Sequence, residues 1–351
     1  MHKNIVRYYF KLGFVTCLCA VPMVSAAKDN QVPAGNFDLS HWKIQLPVDL
    51  KGDGKASEVK VRKIKKFSHP DFFYLDDDGH MVFMAPNKGS TTANTTNTRS
   101  ELRYMLRGRN DRIKTHAAKN QFALASHPHK NRFGAIGGRM EATLKVDAVS
   151  RNAGNPNKPP AYSVVVGQIH ATKYPEPILG FGWGNEPLKI AYKKWPDHEK
   201  GSLYWAYERN LPRDDENRID IIYPVFGYGW DDPRDPGENG IALGEEFSYT
   251  VDVDGDVMHL IFKNDRLGEV RHQITLANNV DANGKVDSFD HKYGYLGEML
   301  YFKAGAYNQC STKQDASFRY PGCPGTGDLK IDVPNGNYTQ VTFSKLKVSS
   351  P

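Results

Sequence analysis

Residues 138–149 have the sequence GRMEATLKVDAV, in which apolar and polar side chains alternate at almost every position. The apolar members are Met140, Ala142, Leu144, Val146 and Ala148, and the polar members are Arg139, Glu141, Thr143, Lys145 and Asp147. A period of two residues is typical of a β-strand that buries one face. This stretch therefore predicts a half-buried strand.

The same reading extends along the chain. Residues 249–263 predict a hairpin, because two β-rich runs flank Asp254-Gly255, a dipeptide that suits a type I′ turn. Further strands are predicted at residues 42–46, 81–85, 99–107, 162–170, 203–207, 300–307 and 340–348. Helical periodicity is scarce, so we expect an all-β fold of two antiparallel sheets, for which jelly-roll topology is one of few connections. Residues 172–246 are expected to form elaborated loops and short strands of the same domain.

Composition narrows the class of protein. The 351 residues include 39% hydrophobic and 25% charged side chains, with 31 Gly and 21 Pro spread without a repeat. This chain is too apolar and aromatic to be disordered, and too polar for a membrane protein. A soluble globular protein with many turns remains.

The first 26 residues read as a signal peptide. Lys3, Arg7 and Lys11 precede an apolar stretch at 12–24, and small residues follow at 25–26. The stretch is shorter than the ~20 residues that span a bilayer. Cleavage would leave residues 27–351 as a single domain, secreted or periplasmic, and would reduce the formal charge from +6 to +3.

Two cysteines lie beyond this segment, Cys310 and Cys323. In an oxidising compartment they most simply form one disulfide, worth about 3 kcal/mol in the loop-entropy picture. A metal site at these cysteines is not expected, since no CxxC pair or nearby histidine completes a ligand set.

Three segments carry polar residues that strand alternation places on one face. In residues 99–103 (RSELR), Arg99 and Arg103 flank Glu101. Taken alone, such alternation is more often a solvated charged face. In residues 162–170, the shared face would hold Tyr162, Val164, Val166, Gln168 and His170. A lone histidine of this kind is more often structural than catalytic.

The third segment, residues 301–309 (YFKAGAYNQ), is the most informative. Alternation would project Tyr301, Lys303, Tyr307 and Gln309 together, and Gly305 would leave a gap between Lys303 and Tyr307. A lysine near a tyrosine would favour the phenolate and lower the pKa of that tyrosine. A plain aromatic strand is the alternative interpretation.

Together these segments offer cations, an amide, an imidazole and a phenol. Proton abstraction next to a carboxylate needs this set, because the enolate-like dianion must be neutralised while a base and an acid move protons. The chemistry predicted is β-elimination from a uronic acid.

The three blocks also resemble the signature blocks of polysaccharide lyase family 7, the alginate lyases, and of the similar family 18. RSELR at 99–103, QIH at 168–170 and YFKAGAYNQ at 301–309 carry the resemblance in the right order, and residues 37–47 and 81–86 resemble flanking strands. The resemblance extends from about residue 37 to residue 348 and is weakest at residues 172–246. It implies a β-jelly-roll whose concave sheet binds a negatively charged polyuronide.

The resemblance also implies roles for single residues. Arg99 and Gln168 would neutralise the carboxylate of the +1 sugar, His170 would act as base or assist it, and Tyr307 would protonate the glycosidic oxygen. For mannuronate, Tyr307 would serve as both base and acid. Glu101 would hold the arginines in place. Substrate subsites would be lined by Arg103, Tyr301, Lys303 and Gln309. Isoleucine at position 169 is associated with acceptance of guluronate.

No metal or cofactor is required by this mechanism, and the expected partner is alginate, bound by a monomer. Acidic clusters at Asp76–Asp78 and at Asp231, Asp232 and Asp235 are read as turns. Three alternatives stay open: a lyase for another polyuronide such as polyglucuronate, a non-catalytic carbohydrate-binding sandwich, and nucleic-acid binding through the basic run at 60–66. Export and the small mature charge argue against nucleic acid, so that run is read as a solvated face.

Overall fold

The computed structural model describes Met1 and residues 32–176, 184–314 and 319–350. The chain divides into two compact units, Met1–Gln31 and Val32–Pro351, and the strands lie in the second. The signal peptide predicted for residues 1–26 lies, apart from Met1, outside the described residues. In the part of the chain described, no helix is long and apolar enough to cross a membrane.

The described residues form two largely antiparallel β-sheets. Their strands are β1 Trp42–Leu46, β2 Ser57–Val59, β3 Phe73–Leu75, β4 Met81–Pro86, β5 Asn97–Tyr104, β6 Phe122–Ala123, β7 Ala135–Ile136, β8 Gly138–Ala148, β9 Ser163–Lys173, β10 Leu188–Lys193, β11 Lys200–Glu208, β12 Asp220–Phe226, β13 Ile241–Ala242, β14 Glu246–Asp254, β15 Val257–Asn264, β16 Gly268–Thr275, β17 Glu298–Ser311 and β18 Tyr338–Ser349. Two short α-helices, α1 Val61–Ile64 and α2 Leu329–Asp332, and 3-10 turns at Pro33–Gly35, Ala118–Asn120, Lys130–Arg132 and Gly237–Asn239 connect them.

The larger sheet has the order β12-β11-β10-β9-β17-β5-β1-β2, with β6, β7 and β13 paired outside this path. The smaller sheet has the order β16-β15-β14-β8-β18-β4-β3. Sequence neighbours are often separated in space, because β17 lies between β5 and β9 and β18 lies between β4 and β8. This is the β-jelly-roll sandwich that the alternation predicts.

One hydrophobic core fills the space between the sheets. Met140, Leu144 and Val146 of β8 are fully buried, and Phe302 and Ile169 enter the same core from the larger sheet. The polar residues of β8 alternate with these buried ones. The face of the larger sheet that points away from this core is called here the outer face, and it is available for a site.

Residues 172–246 contain more regular structure than the sequence indicates. Strands β10, β11, β12 and β13 lie within them and extend the larger sheet. Short strands are expected in this stretch, and β11 contains the strand predicted at 203–207. The sequence indicates fewer strands than are present, because β10 and β11 are buried on both faces and so lack the alternation that marks a half-exposed strand.

The predicted face of β9 is also wrong in part. The register with β10 and β17 shifts next to Gly167, as in a β-bulge. Val164 and Val166 therefore lie in the core, whereas Val165 contacts Tyr307 on the outer face. After the shift, Gln168 reaches the outer face.

The predicted disulfide is present. Cys310, near the end of β17, is bonded to Cys323, with Cα atoms 5.4 Å apart. The bond holds the segment that follows β17 beside the larger sheet, where Ser311 also forms a bridge with Gly322.

Candidate active site

Strand register brings the three polar segments together on β5, β17 and β9. Lys303 in the middle strand lies opposite Arg103 on one side and opposite Gln168 on the other. Tyr301 pairs with His170 in the same way. Directly paired residues in an antiparallel sheet have side chains on the same face. The site residues predicted from 99–103, 168–170 and 301–309 therefore form one cluster.

Glu101 is the centre of this cluster. One carboxylate oxygen accepts a hydrogen bond from Gln168 Nε2 at 2.5 Å, and the other contacts Arg99 Nη1 at 3.1 Å and Lys303 Nζ. The Glu101 side chain is only 2% exposed, and those of Lys303 and Arg99 are 7% and 12% exposed. A buried carboxylate is stable only when it is paired in this way.

The charges of this cluster are unevenly compensated. Burial raises the pKa of Glu101, but Lys303 and Arg99 lower it more, so its net shift is downward and it stays ionised. Burial and the charge of Arg99 lower the pKa of Lys303 to about 8 despite its pairing with Glu101. A single carboxylate shared by two cations leaves positive charge for another anion.

Gly305 makes room for Glu101. It lies opposite Glu101 in the sheet, with a φ of +141° that side chains rarely adopt. A Cβ at this position would lie 2.5 Å from the backbone oxygen of Ser100 and 2.9 Å from the Cα of Glu101. The gap inferred from the sequence is therefore also a point of close strand approach.

Tyr307 lies beside Arg99 rather than beside Lys303. The guanidinium carbon of Arg99 is 3.9 Å from the centre of the Tyr307 ring, whereas Lys303 Nζ is 5.8 Å away and pairs with Glu101. The Tyr307 hydroxyl is 3.3 Å from the hydroxyl of Thr95. The cation nearest to the phenol is thus an arginine, which stays protonated at any working pH.

His170 is neutral, and its neighbours fix the orientation of its ring. Its Nδ1 is 2.8 Å from the carbonyl oxygen of Ala171, which can only accept, so Nδ1 carries the proton and Nε2 has a free lone pair. The ring stacks on Tyr301 with centroids 5.2 Å apart. Burial first, and then the charge of Lys303, lower the pKa of His170 to about 3. At neutral pH the imidazole is therefore neutral, with its proton on Nδ1 and none on Nε2.

Two other predicted residues are held by their neighbours. The guanidinium of Arg103 stacks on Tyr301 at 3.6 Å and donates to the carbonyl oxygen of Thr115, so it does not share Glu101 with Arg99. Gln309 donates from Nε2 to the carbonyl oxygen of Tyr307 at 3.2 Å and is 5% exposed. Arg103 therefore packs against Tyr301, the tyrosine on which the His170 ring stacks.

Two buried donors in this site have no acceptor. They are the Nε–H groups of Arg99 and Arg103, which meet no partner among the described residues. Leaving a buried charged donor unsatisfied is costly, so such groups commonly await a ligand. Each arginine therefore keeps a hydrogen-bonding proton that an anionic ligand can satisfy.

Glu186 and Lys189 were missed by the sequence analysis, although they border the cluster. Glu186 places one carboxylate oxygen 3.5 Å from His170 Nε2 and the other 3.2 Å from Lys189 Nζ. Lys189 lies opposite Gln168 in the sheet. Both belong to the stretch expected to form loops and short strands, and no motif in the sequence marks them.

Two aspartates and a histidine outside the site are close enough together to hold a metal ion. Asp76, Asp78 and His80 have ligand atoms within 4.8 Å of one another. However, Asp76 Oδ1 already accepts from the backbone amides of Asp78 and His80, as in a turn. At the second predicted cluster, Asp232 pairs with Arg234 and Asp235 caps Gly237. Neither group includes a residue of the site.

The chain is similar to known proteins along most of its length. A family model described as alginate lyase matches residues 37–350. An alginate lyase of Klebsiella pneumoniae is 35% identical over 341 residues, which cover 95% of each chain. The crystal structure of the alginate lyase from Klebsiella pneumoniae has a TM-score of 0.71 at 32% identity, covering 92% of this chain and 99% of that one. An exolytic PL7 alginate lyase from Zobellia galactanivorans has a TM-score of 0.70 at 30% identity, covering 91% and 98%.

Glu101→Gln tests the central role of this carboxylate. Removing its charge leaves Lys303 and Arg99 buried beside a neutral amide, which should lower the free energy of unfolding by about 3–5 kcal/mol. Urea denaturation measures the change. Glu269→Gln is the control, since Glu269 pairs with Lys263 and Arg271 at the exposed surface and its loss should have no measurable effect. Equal stability of the two variants would contradict the role given to Glu101.

Proposed function

The chain belongs to the alginate lyase family and is a polysaccharide lyase that acts on alginate; we propose that Arg99, Gln168, His170 and Tyr307 are its catalytic residues. The observation that carries this assignment is the pair of unsatisfied buried guanidinium donors beside a neutral imidazole and a phenol. These groups match the needs of β-elimination from a uronate.

Neutralisation of the uronate carboxylate is assigned to Arg99 and Gln168. The amide of Gln168 has two protons, of which one is donated to Glu101 and the other remains for the sugar. The Nε–H of Arg99 likewise has no acceptor among the described residues. Once the carboxylate is neutralised, the charge that develops on it during proton removal is stabilised.

Proton transfer is assigned to His170 and Tyr307. For guluronate, His170 Nε2 takes the proton from C5, the electrons of that bond form C4=C5, and the C4–O bond breaks. The leaving glycosidic oxygen takes the proton of the Tyr307 hydroxyl. For mannuronate, Tyr307 performs both transfers. Glu186, 3.5 Å from Nε2, stabilises the imidazolium that forms in an otherwise cationic site.

The product is an oligosaccharide or sugar with an unsaturated uronate at its non-reducing end. Substrate subsites are assigned to Arg103, Tyr301, Lys303 and Gln309, with Glu101 as the positioning residue. Guluronate or mixed blocks are the preferred substrates, on the resemblance carried by Ile169. Because the Ile169 side chain is fully buried in the core, it acts through the positions of Gln168 and His170 rather than by touching the sugar.

Export is part of this proposal. The basic and apolar segment within residues 1–26 supports a secreted or periplasmic enzyme, in keeping with a polymer substrate found outside cells. The mature protein acts as a monomer without a cofactor.

The proposed activity is tested with polymannuronate, polyguluronate and polyglucuronate offered separately. The ultraviolet absorbance of the C4=C5 bond should rise fastest with polyguluronate, more slowly with polymannuronate, and not with polyglucuronate. A faster rise with polymannuronate would contradict the block preference. No rise with either alginate block would contradict the activity.

Tyr307→Phe removes the proton donor while keeping the ring that packs on Arg99. Turnover should fall to background, because the leaving oxygen is no longer protonated, whereas polymer binding measured by calorimetry should persist. Tyr338→Phe, on β18 of the smaller sheet, is the matched control and should keep full activity. Undiminished turnover by Tyr307→Phe would overturn the role of Tyr307.

The pH profile tests Lys303. Its pKa is lowered to about 8, so the ammonium is present below this pH and is lost as the pH rises through it. Because kcat/KM reports groups of the free enzyme, it should decline above about pH 8 as the positive charge disappears. Lys303→Arg should move the decline to higher pH, while Lys263→Arg, at an exposed position of β15, should not. An unmoved decline in Lys303→Arg would exclude Lys303 as its source.

A further inference from the structure

We propose that the outer face of the larger sheet is closed at β10–β12, so that the enzyme binds one end of an alginate chain and acts exolytically. This inference rests on the proposed function, since it concerns how the same site receives its polymer. It is carried by a wall of residues that begins next to the catalytic cluster. The wall consists of Glu186, Lys189, Glu208, Asp220, Trp230, Arg319 and Tyr320.

The base of the wall is a buried ionic network. Lys189 Nζ contacts Asp220 at 2.7 Å, Glu186 at 3.2 Å and Glu208 at 3.7 Å. The side chains of Lys189, Asp220 and Glu208 are 6%, 3% and 1% exposed. The sheet register places them on the same face as Gln168, through the pairs Lys189 with Gln168 and Glu208 with Asp220. Charged side chains on the floor of an open groove would be more exposed to solvent than these three are. Another part of the chain therefore covers them.

Arg319 forms that cover. It follows β17 in sequence and pairs with both Glu208, at 3.4 Å, and Asp220. The neighbouring residue Tyr320 accepts a hydrogen bond from Lys158 through its carbonyl oxygen. The Cys310–Cys323 disulfide encloses Arg319 and Tyr320 in a short loop anchored to β17. The cover is therefore tied to the strand that carries Tyr307.

Trp230 continues the wall beside Tyr307. It packs against the small outer-face cluster of Val165, Ala191, Tyr204 and Tyr307, and its ring is 6.0 Å from the guanidinium of Arg319. Lys193 fixes this part, because its amino group donates to the carbonyl oxygens of Trp230 and Pro159 at 2.6 and 2.7 Å. Aromatic packing thus covers the outer face next to the proton donor.

The position of the wall limits where a polymer can extend. Lys189 lies on the strand next to Gln168 and His170, and adjacent strands are about 4.8 Å apart. A chain that continued past the reacting sugar in this direction would have to displace the Arg319 pairs and expose the buried network. The cations of the wall are already matched by protein carboxylates, whereas Arg99 shares the single carboxylate of Glu101 with Lys303. A chain terminus fits this end, whereas an internal segment does not.

Early products distinguish chain-end action from internal cleavage. Guluronate oligosaccharides of one defined length, labelled at the reducing end, should lose sugars in steps of one fixed short size from the first turnover. With polyguluronate, viscosity should fall slowly relative to the rise in absorbance. Products of many lengths at the outset, with an early loss of viscosity, would overturn the inference. Absence of any absorbance change would instead count against the proposed activity.

Variants of the wall test its cause. Arg319→Ala removes both ion pairs of the cover, and a Cys310→Ser, Cys323→Ser double variant releases its tether. Each should broaden the early product lengths, and thermal unfolding confirms that the tested variant is folded. Arg271→Ala, at an exposed pair on β16, is the control and should keep the stepwise pattern. Stepwise products unchanged in both folded wall variants would overturn the inference.

Discussion

The ionised state of Glu101 is the constraint on which the rest of the site depends. A carboxylate 2% exposed cannot remain charged without partners, and here it has Gln168 on one oxygen and Arg99 and Lys303 on the other. These partners come from three different strands, so one anion fixes the relative positions of the groups that are to meet the substrate. Because two cations share it, the array retains a positive charge that a uronate can neutralise.

The strand register of the larger sheet brings these partners together. Residue Lys303 faces Arg103 and Gln168 across its two neighbours, and Gly305 allows β5 to come close enough for Glu101 to reach Lys303. The bulge next to Gly167 is equally necessary, because without it Gln168 would follow Val166 into the core. Local irregularities in two strands therefore turn a regular sandwich into a site.

The sequence predicted those parts of the fold that depend on local pattern. Alternation in β8, the hairpin at residues 249–263 and the extended conformation of the three polar segments each required only neighbouring residues, and these are found. The hairpin turn lies one residue later than predicted, because Asp254 pairs with Val257 and leaves Gly255 and Asp256 between the strands. The other misses depend on contacts between distant segments. A bulge depends on both partner strands, so the face of Val164 and Val166 was assigned wrongly. Likewise Lys189 is buried only because Asp220, Glu208 and Arg319, distant in sequence, surround it. That Arg99 rather than Lys303 touches Tyr307 also follows from the position of Glu101 and not from spacing along β17.

The central claim is that a uronate carboxylate occupies the place left by the unsatisfied donors of the Glu101 cluster. The most direct measurement is the crystal structure of the Tyr307→Phe variant with a bound guluronate oligosaccharide. The account predicts a carboxylate of one sugar within about 2.7–3.2 Å of both the Arg99 guanidinium and the Gln168 amide, with C5 of that sugar facing His170 Nε2. An oligosaccharide bound with no carboxylate at Arg99 or Gln168 would contradict it.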